Sequence, residues 1–362
     1  RHLAKVEVAS SSLVIRSIAL YYLFHCGRCE LILQRLFLFE KKGKRWKLLP
    51  LFVDIYSLLC DADENRQNLL LTGKNWQCYN KLIRKRPNGK INGNPACLQV
   101  LAWRMGKTMN VLMVGDVVGP GGCQFLKERL YRLKKEYAID VTIVNGENSA
   151  KGNGITERSA RDLLSCGADV LTTGNHCFQR REALGIYEQD TILRPANYPE
   201  GCPGKGVCVL DLGAVQLAVL NLSGTAYLDP LDNPFTKVEQ MLQELDTPNI
   251  FVDFHAEATA EKKAMGYFLA GRVTAVVGTH THVQTADACI LSEHTGYITD
   301  VGMTGPEESI LGVAVQPALD RFRFRYAARF QEAETACFLN AVVLSFNEKC
   351  GKCTKIEPLI IR

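Results

Sequence analysis

The sequence predicts a layered α/β fold in which mixed β-sheets are flanked by helices. Three observations point to it. From residue 109 onward, short apolar runs alternate with stretches whose apolar residues recur at helical spacing. Two pairs of runs are joined by tight turns instead of helices, so part of the sheet structure must be antiparallel. A chain that is 47% hydrophobic also has the material for a sizeable core.

Residues 110–114 (Asn-Val-Leu-Met-Val) read as a buried strand ending at Gly115-Asp116. Cys123, Leu126, Leu130, Leu133 and Tyr137 then recur at intervals of three and four, which puts them on one face of a helix. Residues 141–144 form a second strand ending at Asn145-Gly146-Glu147-Asn148, and residues 156–166 a helix opened by Thr156 as cap. Residues 169–173 are a third strand, ending at Gly174-Asn175-His176. Residues 207–212 and 215–220, joined by Gly213-Ala214, predict an antiparallel hairpin. A helix near 234–245 leads to a strand at 250–254 that ends at His255. Another helix near 260–269 precedes a strand at 273–277, followed by Gly278-Thr279-His280-Thr281-His282. Residues 336–346 and 355–361 close the chain as antiparallel strands.

The net charge of +5 conceals two unlike parts. Residues 1–108 hold 19 Lys and Arg against 7 Asp and Glu, a net of +12, whereas 109–362 carry −7. All three Trp precede residue 109, and all six Met lie at or after Met105. The chain is therefore read as a basic N-terminal extension, 1–108, poorly ordered or foreign to the natural domain, ahead of one domain spanning 109–362. Residues 13–38 are apolar, but Arg16, Arg28, Glu30 and Arg35 interrupt them, so no membrane span is expected. Gly106-Lys107-Thr108 lacks the earlier glycine of a phosphate-binding loop, since Leu101 occupies that place. The basic runs around Lys41–Lys47 and Arg84–Arg86 would suit nucleic-acid phosphates, but no nucleic-acid-binding pattern accompanies them and a solvated extension is favoured. Fourteen scattered Cys do not form a secreted disulfide framework and point to the cytoplasm. The pairs Cys26/Cys29 and Cys350/Cys353 lie too far apart in sequence to read as a zinc ribbon, and the second falls in an expected hairpin turn.

Function concentrates at the strand ends. Asp116, Glu147-Asn148, Asn175-His176, His255 and His280-x-His282 all follow strands on the carboxyl side, where open α/β sheets place their ligand crevice. An isolated histidine is ordinarily a hydrogen-bonded structural residue, but five strand ends carrying ligand-type side chains is a joint pattern. Two carboxylates, two amides and four imidazoles exceed what one ion needs and suit two ions sharing a carboxylate. In extended backbone, residues i and i+2 face the same way, so His280 and His282 can aim at one site. Adjacent Asn175 and His176 should diverge, one toward metal and one toward substrate.

The series Gly115-Asp116-Val117-Val118-Gly119, Asn145-Gly146-Glu147-Asn148, Thr173-Gly174-Asn175-His176, Asp253-Phe254-His255-Ala256-Glu257-Ala258-Thr259 and Gly278-Thr279-His280-Thr281-His282-Val283-Gln284-Thr285-Ala286-Asp287 resembles the calcineurin-like metallophosphoesterases. More narrowly it is similar to the bacterial YmdB-like branch, which hydrolyses 2′,3′-cyclic nucleotides. Thr299-Asp300-Val301-Gly302-Met303-Thr304-Gly305 belongs to the same pattern, and the resemblance runs from Met109 to about Arg362. Most of the superfamily has His where this chain has Val118 and Asp where it has Glu147; the narrower branch shares both departures, with Asn148 taking over coordination.

The resemblance implies a metallophosphoesterase sandwich with two ions, iron or manganese, with zinc tolerated. Glu147 would bridge them, Asp116, Asn148 and His282 completing one and Asn175, His255 and His280 the other. His176 would be catalytic and not a ligand, stabilising or protonating the departing ribose oxygen as a metal-bridging hydroxide attacks phosphorus. The implied product is a 3′-nucleotide, and the implied assembly a homo-oligomer. Two other readings stand beside it: a phosphomonoesterase or phosphoprotein phosphatase using the same site, and a nucleic-acid-binding regulatory protein dominated by residues 1–108.

Overall fold

The computed structural model describes residues 106–325 and 331–362; sequence readings that fall on residues 1–105, including Cys26/Cys29 and the two basic runs, lie outside the described residues. The described chain folds as two mixed sheets packed face to face, with helices on both outer faces.

The first sheet contains β1 (Thr108–Val114), β2 (Asp116–Val117), β3 (Val141–Asn145), β4 (Val170–Thr172), β11 (Met303–Pro306), β12 (Cys337–Asn347) and β13 (Cys353–Ile361). Its order is β2-β11-β12-β1-β3-β4, with β13 also paired to β12. The second contains β5 (Val207–Asp211), β6 (Gln216–Ser223), β7 (Ile250–His255), β8 (Ala275–Thr279), β9 (Cys289–Leu291) and β10 (Thr295–Ile298), in the order β5-β6-β7-β8-β10-β9. Strands joined through helices pair in parallel, as in β1/β3/β4 and β6/β7/β8. The predicted hairpins are antiparallel: β5/β6, with Val207 opposite Leu220, and β12/β13, with Leu339 opposite Ile361.

Alternation along β1 shows how the layers form. Val111 and Met113 face the second sheet and pack with Leu217, Val219, Phe251 and Val277. Leu112 and Val114 face outward, onto Leu126, Leu130 and Leu163 of the covering helices. Those helices are α1 (Gly119–Glu136) and α2 (Glu157–Ser165). Thr156 caps α2 as expected, accepting from the Ser159 amide while the Ser159 hydroxyl accepts from the Thr156 amide. On the other outer face, α3 (Pro234–Glu244) and α4 (Thr259–Leu269) place Val238, Met265 and Leu269 over Leu220, Leu222 and Val252.

The differences from the sequence reading have simple causes. The strand expected at 273–277 is β8, two residues further on, because Thr274 is taken up in side-chain bonds at the turn before it. A 3-10 helix, Arg181–Glu188, the short strands β2 and β9 to β11, and α5 (Val315–Phe324) had no counterpart in the reading. Strands of two to four residues carry too few positions to show a period. Among the described residues no helix is long and apolar enough to cross a membrane.

Candidate metal centre

Every site residue named from the sequence lies where strands of the two sheets end side by side. Asp116 begins β2 just beyond β1, Glu147 and Asn148 follow β3, and Asn175 and His176 follow β4. His255 is the last residue of β7, and His280 and His282 follow β8. Asp116, Glu147 and His255 are fully buried, and Asn148 nearly so.

Glu147 stands between two groups. Its Oε2 is 3.2 Å from His255 Nε2, which is itself 2.9 Å from Asn175 Oδ1 and 3.0 Å from His280 Nδ1. Its Oε1 accepts from Asn148 Nδ2 at 2.9 Å, and that nitrogen is 3.3 Å from His282 Nε2. Asp116 joins the cluster through Oδ2, which accepts from the His280 amide at 3.1 Å, and through Oδ1, 3.8 Å from His255 Nδ1. Gly174 is glycine for a spatial reason: a Cβ there would lie 2.3 Å from His255 Nε2 and 2.4 Å from Glu147 Oε2.

The donor set fits a cation. Two carboxylates are buried together, and among the described residues neither is paired with lysine or arginine. Asp116 Oδ1 has no hydrogen-bond partner, an expensive condition for a buried carboxylate oxygen. Glu147, His255 and His280 each offer a ligand atom within 4.8 Å of the others. Asn148 presents its amide nitrogen toward Glu147 and His282 and its oxygen toward His176.

Electrostatics carry the same message. Burial raises the Asp116 carboxyl above its usual range, against the pull of His282 and His255. Burial also opposes the ionised form of Glu147, yet His255 and His176 hold that carboxyl well below its ordinary value. His255, despite burial, is pushed up to about 9 by Glu147 and Asp116. Burial and the neighbouring His255 push His280 down to about 3.

Two expectations about backbone geometry are corrected. His280 and His282 converge, but not by strand alternation: β8 stops at Thr279, and the two histidines have φ of 102° and 63°. Asn175 and His176 reach different partners, but not by strand alternation: Asn175 Oδ1 lies 2.9 Å from His255 Nε2. They sit in a turn, where alternation does not apply, and His176 Nδ1 lies 3.1 Å from Asn148 Oδ1 and 3.3 Å from Glu147 Oε1.

The sequence reading gave no role to the supports behind these residues. Asp300 Oδ2 accepts from the Thr281 amide at 3.0 Å and hydroxyl at 2.7 Å, pinning the turn between the two histidines. Lys262 Nζ, 2.6 Å from the same oxygen, is 1% exposed. A signal existed, since Lys262, Met265, Gly266 and Leu269 form the buried face of α4 at helical spacing. Lys262→Met, which leaves the Asp300 charge buried and unpaired, is expected to destabilise the fold by about 3–5 kcal/mol in denaturant titration. A loss below about 1 kcal/mol would show that Asp300 is satisfied without the lysine.

The family description "YmdB-like protein" matches residues 112–359. A 2′,3′-cyclic-nucleotide 2′-phosphodiesterase of Bacillus subtilis (strain 168) is 46% identical over 256 residues, 70% of this chain and 97% of that protein. Two crystal structures share the fold. A hypothetical protein from Thermus thermophilus is 39% identical, with a TM-score of 0.67 covering 70% of this chain and 98% of the other. A phosphatase from Mycoplasma pneumoniae is 31% identical, with a TM-score of 0.68 covering 71% and 94%.

Proposed function

This chain belongs to the YmdB-like family, and from that premise we propose that it is a metal-dependent phosphodiesterase that opens 2′,3′-cyclic nucleotides to 3′-nucleotides. The observation that carries the reading is the convergence of Asp116, Glu147, Asn148, Asn175, His255, His280 and His282 from both sheets onto one cluster centred on the buried Glu147. Because its two oxygens face different neighbours, Glu147 would be the residue shared between two ions. Asp116, Asn148 and His282 would complete one position, and Asn175, His255 and His280 the other. Imidazole, amide and carboxylate donors without thiolate suit iron or manganese, and admit zinc. When bound, such ions activate water and neutralise phosphate charge.

The remaining chemistry falls to the chain's own groups. His176 Nδ1 is engaged by Asn148 and Glu147, which leaves Nε2 for substrate. The hydrogen bond with Glu147 outweighs burial and raises the His176 pKa, which favours the protonated ring that would give its proton to the departing ribose oxygen. A quarter of the side chain remains exposed, which gives substrate access to it.

The catalytic domain is assigned to 109–362, with 1–108 as a basic extension. The cysteines among the described residues are all free, in keeping with a cytoplasmic protein. Val315, Leu319 and Phe322 are exposed at helical spacing along α5, an apolar stripe that supports a homo-oligomer.

Purified full-length protein supplied with Mn²⁺ is expected to convert a 2′,3′-cyclic nucleotide to the 3′-nucleotide and to cleave an aryl phosphodiester. If both remain intact, the reading fails. Faster turnover of an aryl monoester than of the diester would favour a phosphomonoesterase at the same site.

A further inference from the structure

Behind the cluster lies a carboxylate to which the chemistry above gives no part. Asp253 is 1% exposed and two residues ahead of His255 on β7. Its Oδ2 accepts from Asn145 Nδ2 at 3.0 Å and from the Thr172 hydroxyl, and its Oδ1 accepts from the Thr279 hydroxyl at 2.7 Å. These partners come from β3, β4 and β8, so one buried carboxylate gathers both sheets directly beneath the site. Thr279 Oγ1 is in turn 2.9 Å from His255 Nδ1.

The direction of these bonds is dictated by proton count. An ionised carboxylate only accepts, so Thr279 spends its single hydroxyl proton on Asp253. Asn145 Nδ2, 3.3 Å from the same hydroxyl oxygen, is a donor and cannot reverse this. Thr279 can therefore only accept from the imidazole, and His255 must carry a proton at Nδ1. The lone pair available for a cation is then at Nε2, the atom that faces Glu147, Asn175 and His280.

We propose that Asp253, acting through the Thr279 hydroxyl, is a positioning residue that dictates the tautomer of His255 and so presents Nε2 as a metal ligand. The inference rests on the reading of His255 as a ligand. Asp253→Asn would reverse the relay. The two donors at Oδ2 claim the single amide oxygen, the new NH2 group faces Thr279, and the hydroxyl proton is turned toward His255 Nδ1. The proton of the neutral ring then moves to Nε2, where it blocks ligation.

The test uses full-length protein and zinc, with affinity measured against a chromophoric chelator. The Nδ1 proton of His255 is followed by NMR in zinc-loaded, ¹⁵N-histidine-labelled protein and assigned by its absence in His255→Gln. Thr279→Val and Asp253→Asn are each expected to weaken binding of one ion by about 10–100-fold. Thr279→Val is also expected to lose the slowly exchanging proton, and Thr279→Ser, which keeps the hydroxyl, to retain both properties. Wild-type affinity in Thr279→Val overturns the proposal, and so does a Ser variant as weak as Val, which would make the position merely a packing site. If His255→Gln binds zinc like the wild type, the ligand reading itself fails, a result told apart from the others because Thr279 is unaltered in that variant.

Discussion

Glu147→Gln is expected to cost the protein its metal and nearly all its turnover. Glu147 is fully buried, with Oε2 toward His255 and Oε1 toward Asn148, so it reaches both groups. The substitution preserves shape but removes a charge and places an NH2 where a cation requires an oxygen. A bridging carboxylate serves both positions, so both should weaken by well beyond the about 10–100-fold that follows loss of an outer hydrogen-bond partner. Elemental analysis after gel filtration reads the outcome directly: two ions per chain in the wild type, and one or none in the variant. Two retained ions would remove Glu147 from the centre of the site and, with it, the division into two ligand groups.

His176→Ala should separate chemistry from metal binding. The ring touches Glu147 and Asn148 through Nδ1, so truncating it is expected to leave both ions bound while turnover falls by about 10²–10⁴. The pH profile gives an independent check. Because the hydrogen bond with Glu147 raises the His176 pKa, the protonated ring persists above the usual imidazole range. Wild-type kcat/KM should then fall on the alkaline side as that proton is lost, and this limb should be missing from the variant's residual activity. Loss of metal together with activity would instead make His176 a ligand.

The legibility of this site in the sequence follows from the kind of strand it is built on. β1, β3, β7 and β8 are covered on both faces, so each is mostly apolar, and the polar residues that follow such a run stand out. Asp116, Glu147, Asn148, Asn175, His255, His280 and His282 were visible for that reason. Asp253 and Thr279 belong to the same motifs, but nothing local says that their side chains meet between β7 and β8. Lys262 sits beside Lys263, and only its helical spacing with Met265, Gly266 and Leu269 marks it as facing inward.

What the sequence determined by itself was the succession of elements, the polar residues at their ends and the family pattern they make. Each is a local property of spacing and residue type. Tertiary structure decided how those residues act together: which oxygen of Glu147 faces which histidine, that the two histidines after β8 converge through backbone with positive φ, and that a buried Lys262–Asp300 pair holds the turn between them. It also decided the direction of the relay from Asp253 to His255, because a hydroxyl has one proton and its destination depends on partners drawn from both sheets. Chain-local patterns name the ligands. Long-range packing sets their charge, orientation and tautomer, and these determine whether they can bind.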